Sequence, residues 1–176
     1  MQNPFRPASL CCVILLALLI TGGASAAAAA DEPAETATSQ VLQHYEAIRH
    51  ALVADTIEGV RDPARAIDSL FADLEADWSA ERAGVDPEQS DDARVLLPEL
   101  RQAAADLARA ETLEATRDAF YALSKPLVRW RKVALGDLPV VVYCSMARRS
   151  WLQPKGDLGN PYHGHSMERC GEVVDG

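Results

Sequence analysis

Four sulfur-bearing side chains near the C-terminus, Cys144, Met146, Met167 and Cys170, have the types and spacing that suit chemistry. Cys144 and Met146 share a face if their segment is extended, and Met167 and Cys170 share a face of a helical turn. Two pairs of soft donors can therefore converge. Thiolate and thioether sulfur favour Cu(I) over Mg or Ca, and a thioether needs no deprotonation to bind. His163 and His165 lie beside the second pair as auxiliary donors. The same two cysteines can instead form a disulfide, worth about 3 to 4 kcal/mol by loop entropy for that span. The residues leave both states open, and they can interconvert.

Other chemistry lacks its signatures. The chain has no Cys-x-x-Cys-His for covalent haem, no Cys-x-x-Cys pair and no Gly-rich phosphate loop. A hydrolase built from Cys144, His163 and Asn160 would need an activated cysteine, and no family signature surrounds Cys144. No catalytic residues are assigned, and the protein is expected not to be an enzyme.

Compartment bears on the thiols. Residues 1–26 read as a secretory signal peptide, with Arg6 ahead of an apolar stretch from Leu10 to Ile20 and small residues ending in Ala24-Ser25-Ala26. The apolar stretch is shorter than the ~20 residues of a spanning helix, so no stable membrane insertion is expected after cleavage. Cys11 and Cys12 would leave with the signal. A periplasmic location follows, where disulfides form and persist. Over the whole chain 17 basic residues face 26 acidic ones, a net of −9, which argues against a nucleic-acid partner. The imbalance is uneven: residues 27–124 hold 8 basic and 21 acidic groups, and residues 125–176 hold 8 and 5, so the basic tail is expected to pack on the acidic body.

The elements that must position the sulfurs are helical. Residues 27–38 read as a flexible leader. A first helix is predicted from an N-cap at Ser39, burying Val41, Tyr45, Ile48 and Leu52, with His44 and His50 at its rim. A second is predicted from Thr56, with Ile57, Val60, Ala64, Ile67, Phe71, Leu74 and Trp78 on one seam and a kink or a helix start at Pro63. After a loop at 80–90, a third helix carries Leu96, Leu100, Ala103 and Leu107. A fourth, capped by Thr112, carries Leu113, Phe120, Leu123, Leu127 and Trp130 and is expected to kink at Pro126. Val140 to Tyr143 is the one strand-like run. The predicted fold is all-α: an antiparallel four-helix bundle over residues 39–135 with an irregular cap at 136–176 that contains this short extended segment. No Glu-x-x-His pairing suggests a di-iron core.

In its C-terminal motif the chain resembles a family of small exported bacterial helical domains of uncharacterised function. They occur alone or fused to periplasmic adaptor subunits of copper/silver-type heavy-metal efflux pumps. The resemblance rests on Tyr143-Cys144-x-Met146, Trp151-Leu152, Asn160-Pro161-Tyr162-x-Gly164 and Met167-x-x-Cys170-Gly171. It extends more loosely to Leu52-x-x-Asp55 and to Phe120-Tyr121-Ala122-Leu123-Ser124. Ser145 stands where that family commonly has proline. The resemblance implies copper handling, with Cys144, Met146, Met167 and Cys170 as the sulfur ligands and a heavy-metal efflux or copper-handling protein as partner. Residues and resemblance together lead to a periplasmic protein that binds or hands over Cu(I). The other reading is a structural or protein-interaction module with a Cys144–Cys170 disulfide and no metal.

Overall fold

Five helices and a three-stranded antiparallel sheet build the fold, so it is mixed and not the all-α bundle expected from the sequence. The computed structural model describes residues 35–176. The predicted signal peptide and most of the predicted leader lie outside the described residues.

Helix α1 runs Ala37–Val53 and is capped by Thr36, whose hydroxyl accepts from the Ser39 N–H at 3.2 Å. The cap therefore lies three residues before the predicted Ser39, and the end of the predicted leader is helical. Helix α2 spans Arg61–Ala76, with Pro63 in its first turn, where a missing N–H costs no intrahelical bond. Ile57 falls before this helix and stays 36 % exposed, whereas Val60, Ala64, Ile67, Phe71 and Leu74 of the predicted seam are buried. The predicted loop at 80–90 contains a short helix, α3, at Ala80–Ala83 and a 3-10 turn at Pro87–Gln89. Helix α4 covers Ser90–Arg109 and α5 covers Leu113–Arg131, the latter capped by Thr112 as predicted. Helix α5 continues without interruption through Pro126.

Beyond α5 the chain forms β1 (Val140–Cys144), β2 (Arg149–Gln153) and β3 (Glu172–Asp175), with β1 in the middle. The expected irregular cap is thus a hairpin plus a third strand. Its second strand escaped the sequence reading because the β1–β2 turn carries Arg148 at φ 56°, a left-handed position that glycine or asparagine usually marks. The third strand, Glu172-Val173-Val174-Asp175, is exposed throughout and shows no alternation. Helices and sheet share one core that includes Tyr45, Phe71, Phe120, Trp130, Val142 and Trp151.

A polar chain crosses that core. Ser124 donates to the Phe120 carbonyl at 2.8 Å, Tyr45 donates to Ser124 at 2.7 Å, and the Leu152 N–H donates to Tyr45 at 3.2 Å. It ties α5, α1 and β2 together without leaving a buried hydroxyl unpaired. Burial pushes the Tyr45 phenol far above its ordinary pKa despite these hydrogen bonds, so it stays protonated and keeps donating.

Candidate functional site: a thiol pair under a strapped loop

Strand register brings the cysteines together. Tyr143 pairs with Glu172, so the residue that ends β1 lies across from the residues entering β3. Cys144 Sγ and Cys170 Sγ lie 2.7 Å apart. Cys144 is fully buried and Cys170 is half-buried. Gly171 makes the approach possible: a Cβ there would meet Trp151 Cη2 at 2.7 Å and Val142 Cγ1 at 2.8 Å. Only a residue without a side chain lets the strand entrance lie this close to the sheet.

The two sulfurs differ electrically. Burial pushes the Cys144 thiol up, but hydrogen bonds from Cys170, from the N–H groups of Ala147 and Met146 and from the Asn160 amide outweigh it and hold Cys144 below its ordinary pKa. The Ala147 N–H reaches Cys144 Sγ at 3.4 Å. Cys170 is pushed up, first by donating to Cys144, then by burial and by the charge on Cys144. The two shifts run in opposite directions, so Cys144 is the more readily ionised of the pair.

The loop that carries Cys170 is held from below by groups of the helical body. Asn160 is its hub and is fully buried. Its amide donates to the Cys170 carbonyl at 2.8 Å, and its carbonyl oxygen accepts from the N–H groups of Tyr162 at 2.8 Å and His163 at 3.2 Å. Arg49, buried on α1, donates to the Gly159 carbonyl at 2.8 Å, and Arg117 on α5 donates to the Pro161 carbonyl at 2.9 Å. Asp55, at φ 57°, takes a hydrogen bond from Arg117 at 2.5 Å and faces His165 Nδ1 at 2.9 Å. Gly164 packs so closely over Asp55 that a Cβ would meet its Oδ1 at 1.9 Å. The ion pair of Arg149 with Asp118 at 2.7 Å likewise joins the basic C-terminal part to the acidic body.

The His165 side chain, the Arg117 guanidinium and the His165 N–H hold the Asp55 carboxyl at a pKa of about 2, below its ordinary 3.8. The depressed value means that Asp55 stabilises the folded strap above the ordinary carboxyl pKa and loses that contribution as pH falls toward 2. Wild type is expected to melt above the Asp55→Asn variant at pH 6, with the gap closing between about pH 4 and 2. Thermal melts across that range check this, and a pH-independent gap would contradict it. Asparagine tolerates the left-handed backbone, so the comparison reads charge and not strain.

The remaining predicted ligands are placed less centrally. Met146 is 68 % exposed, although its N–H is directed at the sulfur pair, and Met167 is half-buried one turn before Cys170. His165 faces Asp55. His163 lines a separate cavity of about 500 Å³ together with Arg117, Asp118, Arg149 and Tyr162, and its Nε2 is buried without a hydrogen-bond partner. Among the described residues no three His, Cys, Asp or Glu side chains cluster as metal ligands. Arg49, Arg117 and Asp55 were not foreseen as supports of the loop. Arg49 carried one signal, its position four residues after Tyr45 on the apolar face of α1.

No helix among the described residues is long and apolar enough to cross a membrane. No protein-family model, curated protein or solved structure matches the chain.

Proposed function

We propose that this chain is an exported, non-enzymatic protein that binds Cu(I) through Cys144 and Cys170 and passes it on, with a copper-handling or heavy-metal efflux protein as partner. The observation that supports the reading is the pairing of two cysteine sulfurs with N–H donors that favour thiolate. Thiolate is the form that ligates a soft ion. The donor chemistry fits Cu(I), because the pair offers sulfur and no carboxylate that would suit a hard cation. Cys144 and Cys170 would hold the ion. Met146 and Met167 lie two and three residues from these cysteines in sequence and would add thioether donors to the bound ion. The signal-like N-terminus supports a periplasmic setting.

A competition titration of Cu(I) against a chelator tests the reading. The reduced wild-type protein is expected to take up the ion, and changing Met146 and Met167 together to Leu is expected to weaken uptake by about tenfold, or ~1.4 kcal/mol. No uptake by the reduced protein would refute copper binding. Unchanged uptake in the Leu variant would remove the thioethers from the ligand set.

The second reading, a structural or interaction module closed by a Cys144–Cys170 disulfide, is favoured by the full burial of Cys144 and the sulfur separation of 2.7 Å. A protein that cannot be reduced without unfolding would support it over copper binding.

A further inference from the structure

The two sulfurs are not equally reachable. Cys144 ends the central strand with no exposed surface, while Cys170 sits half-buried in the loop, among the exposed side chains of Glu168, Arg169 and Glu172. Thiol–disulfide exchange requires the incoming thiolate to reach one particular sulfur and the other to depart. Here the geometry leaves a single direction open.

We propose that the pair, once oxidised, is a thiol–disulfide exchange centre in which an external thiolate attacks Cys170 and Cys144 is the group expelled. The attacking thiolate forms a bond to Cys170 Sγ as the Cys144–Cys170 bond breaks. The electron pair leaves on Cys144 Sγ, where the Ala147 N–H is already placed at 3.4 Å to receive it. A second external thiolate then attacks the outer sulfur of the mixed disulfide and releases Cys170, which takes up a proton. Two external thiols become one disulfide, and their two electrons reduce the pair. The strap through Asn160 keeps Cys170 within reach of Cys144, so the reverse reaction closes the pair again. This inference rests on the same sulfur pair as the copper reading and not on the ion. Together they imply that oxidation withdraws both donors and makes copper binding redox-dependent.

The test uses the protein as exported and processed in the periplasm, oxidised with diamide, exposed to glutathione for timed intervals, quenched with acid and mapped by peptide mass spectrometry to Cys144 and Cys170. The mixed disulfide is expected on Cys170 at about tenfold or greater excess over Cys144. Glutathione on Cys144 at a comparable level, or failure of diamide to join the two cysteines, would overturn the proposal. Because the intermediate is short-lived in wild type, Cys144→Ser and Cys170→Ser are treated with glutathione disulfide in parallel. Lasting glutathionylation of the first and slow or absent labelling of the second is expected; the opposite pattern overturns the direction of attack. Copper titration of the reduced protein is read separately, so a failure of copper binding and a failure of exchange are distinguishable.

Discussion

Asn160→Ala is expected to destabilise the protein by about 3 to 5 kcal/mol, a large loss for a single polar side chain. The side chain is fully buried and bridges the Cys170 carbonyl to the N–H groups of Tyr162 and His163. Alanine would leave one acceptor and two donors without that partner, at about 1 to 3 kcal/mol for each buried group that finds no other. Partial relaxation and water entry at the half-buried positions keep the total below the full sum. In urea, where ΔG falls by about 1 to 3 kcal/mol per molar, the unfolding midpoint should drop by at least ~1 M. A shift under a few tenths molar would show that the loop is held by something other than Asn160. Because the same side chain fixes the Cys170 carbonyl, the variant should also weaken copper uptake by the reduced protein.

The second large effect concerns the sulfurs themselves. Cys170→Ser and Cys144→Ser are each expected to lower Cu(I) affinity by at least about 100-fold, or ~3 kcal/mol, since a hydroxyl is a hard and weakly basic donor. The double variant should lose little more than either single one, because one thiolate alone holds the ion poorly. The folds should respond differently. Serine at fully buried position 144 places a hydroxyl at the covered end of β1 and should cost stability, whereas serine at half-buried position 170 should be nearly neutral. Cys170→Ser therefore separates binding from folding. Equal affinity in this variant and wild type, measured by chelator competition, would exclude Cys170 from the ligand set.

The parts of the molecule that were legible in the sequence are those governed by local periodicity and capping. Ala64, Ile67, Phe71 and Leu74 repeat at helical spacing and are buried, as are Leu96, Leu100, Ala103 and Leu107. Thr112 caps α5 through the Ala115 N–H at 3.2 Å, the use its position predicted. Of the sheet only β1 was legible, as the strand-like run Val140 to Tyr143; β2 and β3 are short and their identity depends on pairing with β1, a non-local event. Arg148 adopts the left-handed turn without advertising it. At the site, residue types pointed to Cys144 and Cys170, but nothing local specified that the four sulfurs would resolve into one close cysteine pair with Met146 largely exposed. The strap was hidden for the same reason. Arg49 and Arg117 act on backbone carbonyls far along the chain, and a long-range hydrogen bond to a carbonyl leaves no spacing pattern in the sequence.

Redox state joins the two proposals made for the pair. Reduced, Cys144 and Cys170 offer adjacent soft donors; joined, they offer none. The most direct measurement is the copper retained per chain after chelator dialysis, on one preparation divided into a reduced and a diamide-oxidised half, with free thiols counted in each. The account predicts one Cu(I) retained by the reduced half, with Cys144 and Cys170 both titrating as thiols, and none by the oxidised half. No copper in the reduced half, or equal copper in both, would contradict it.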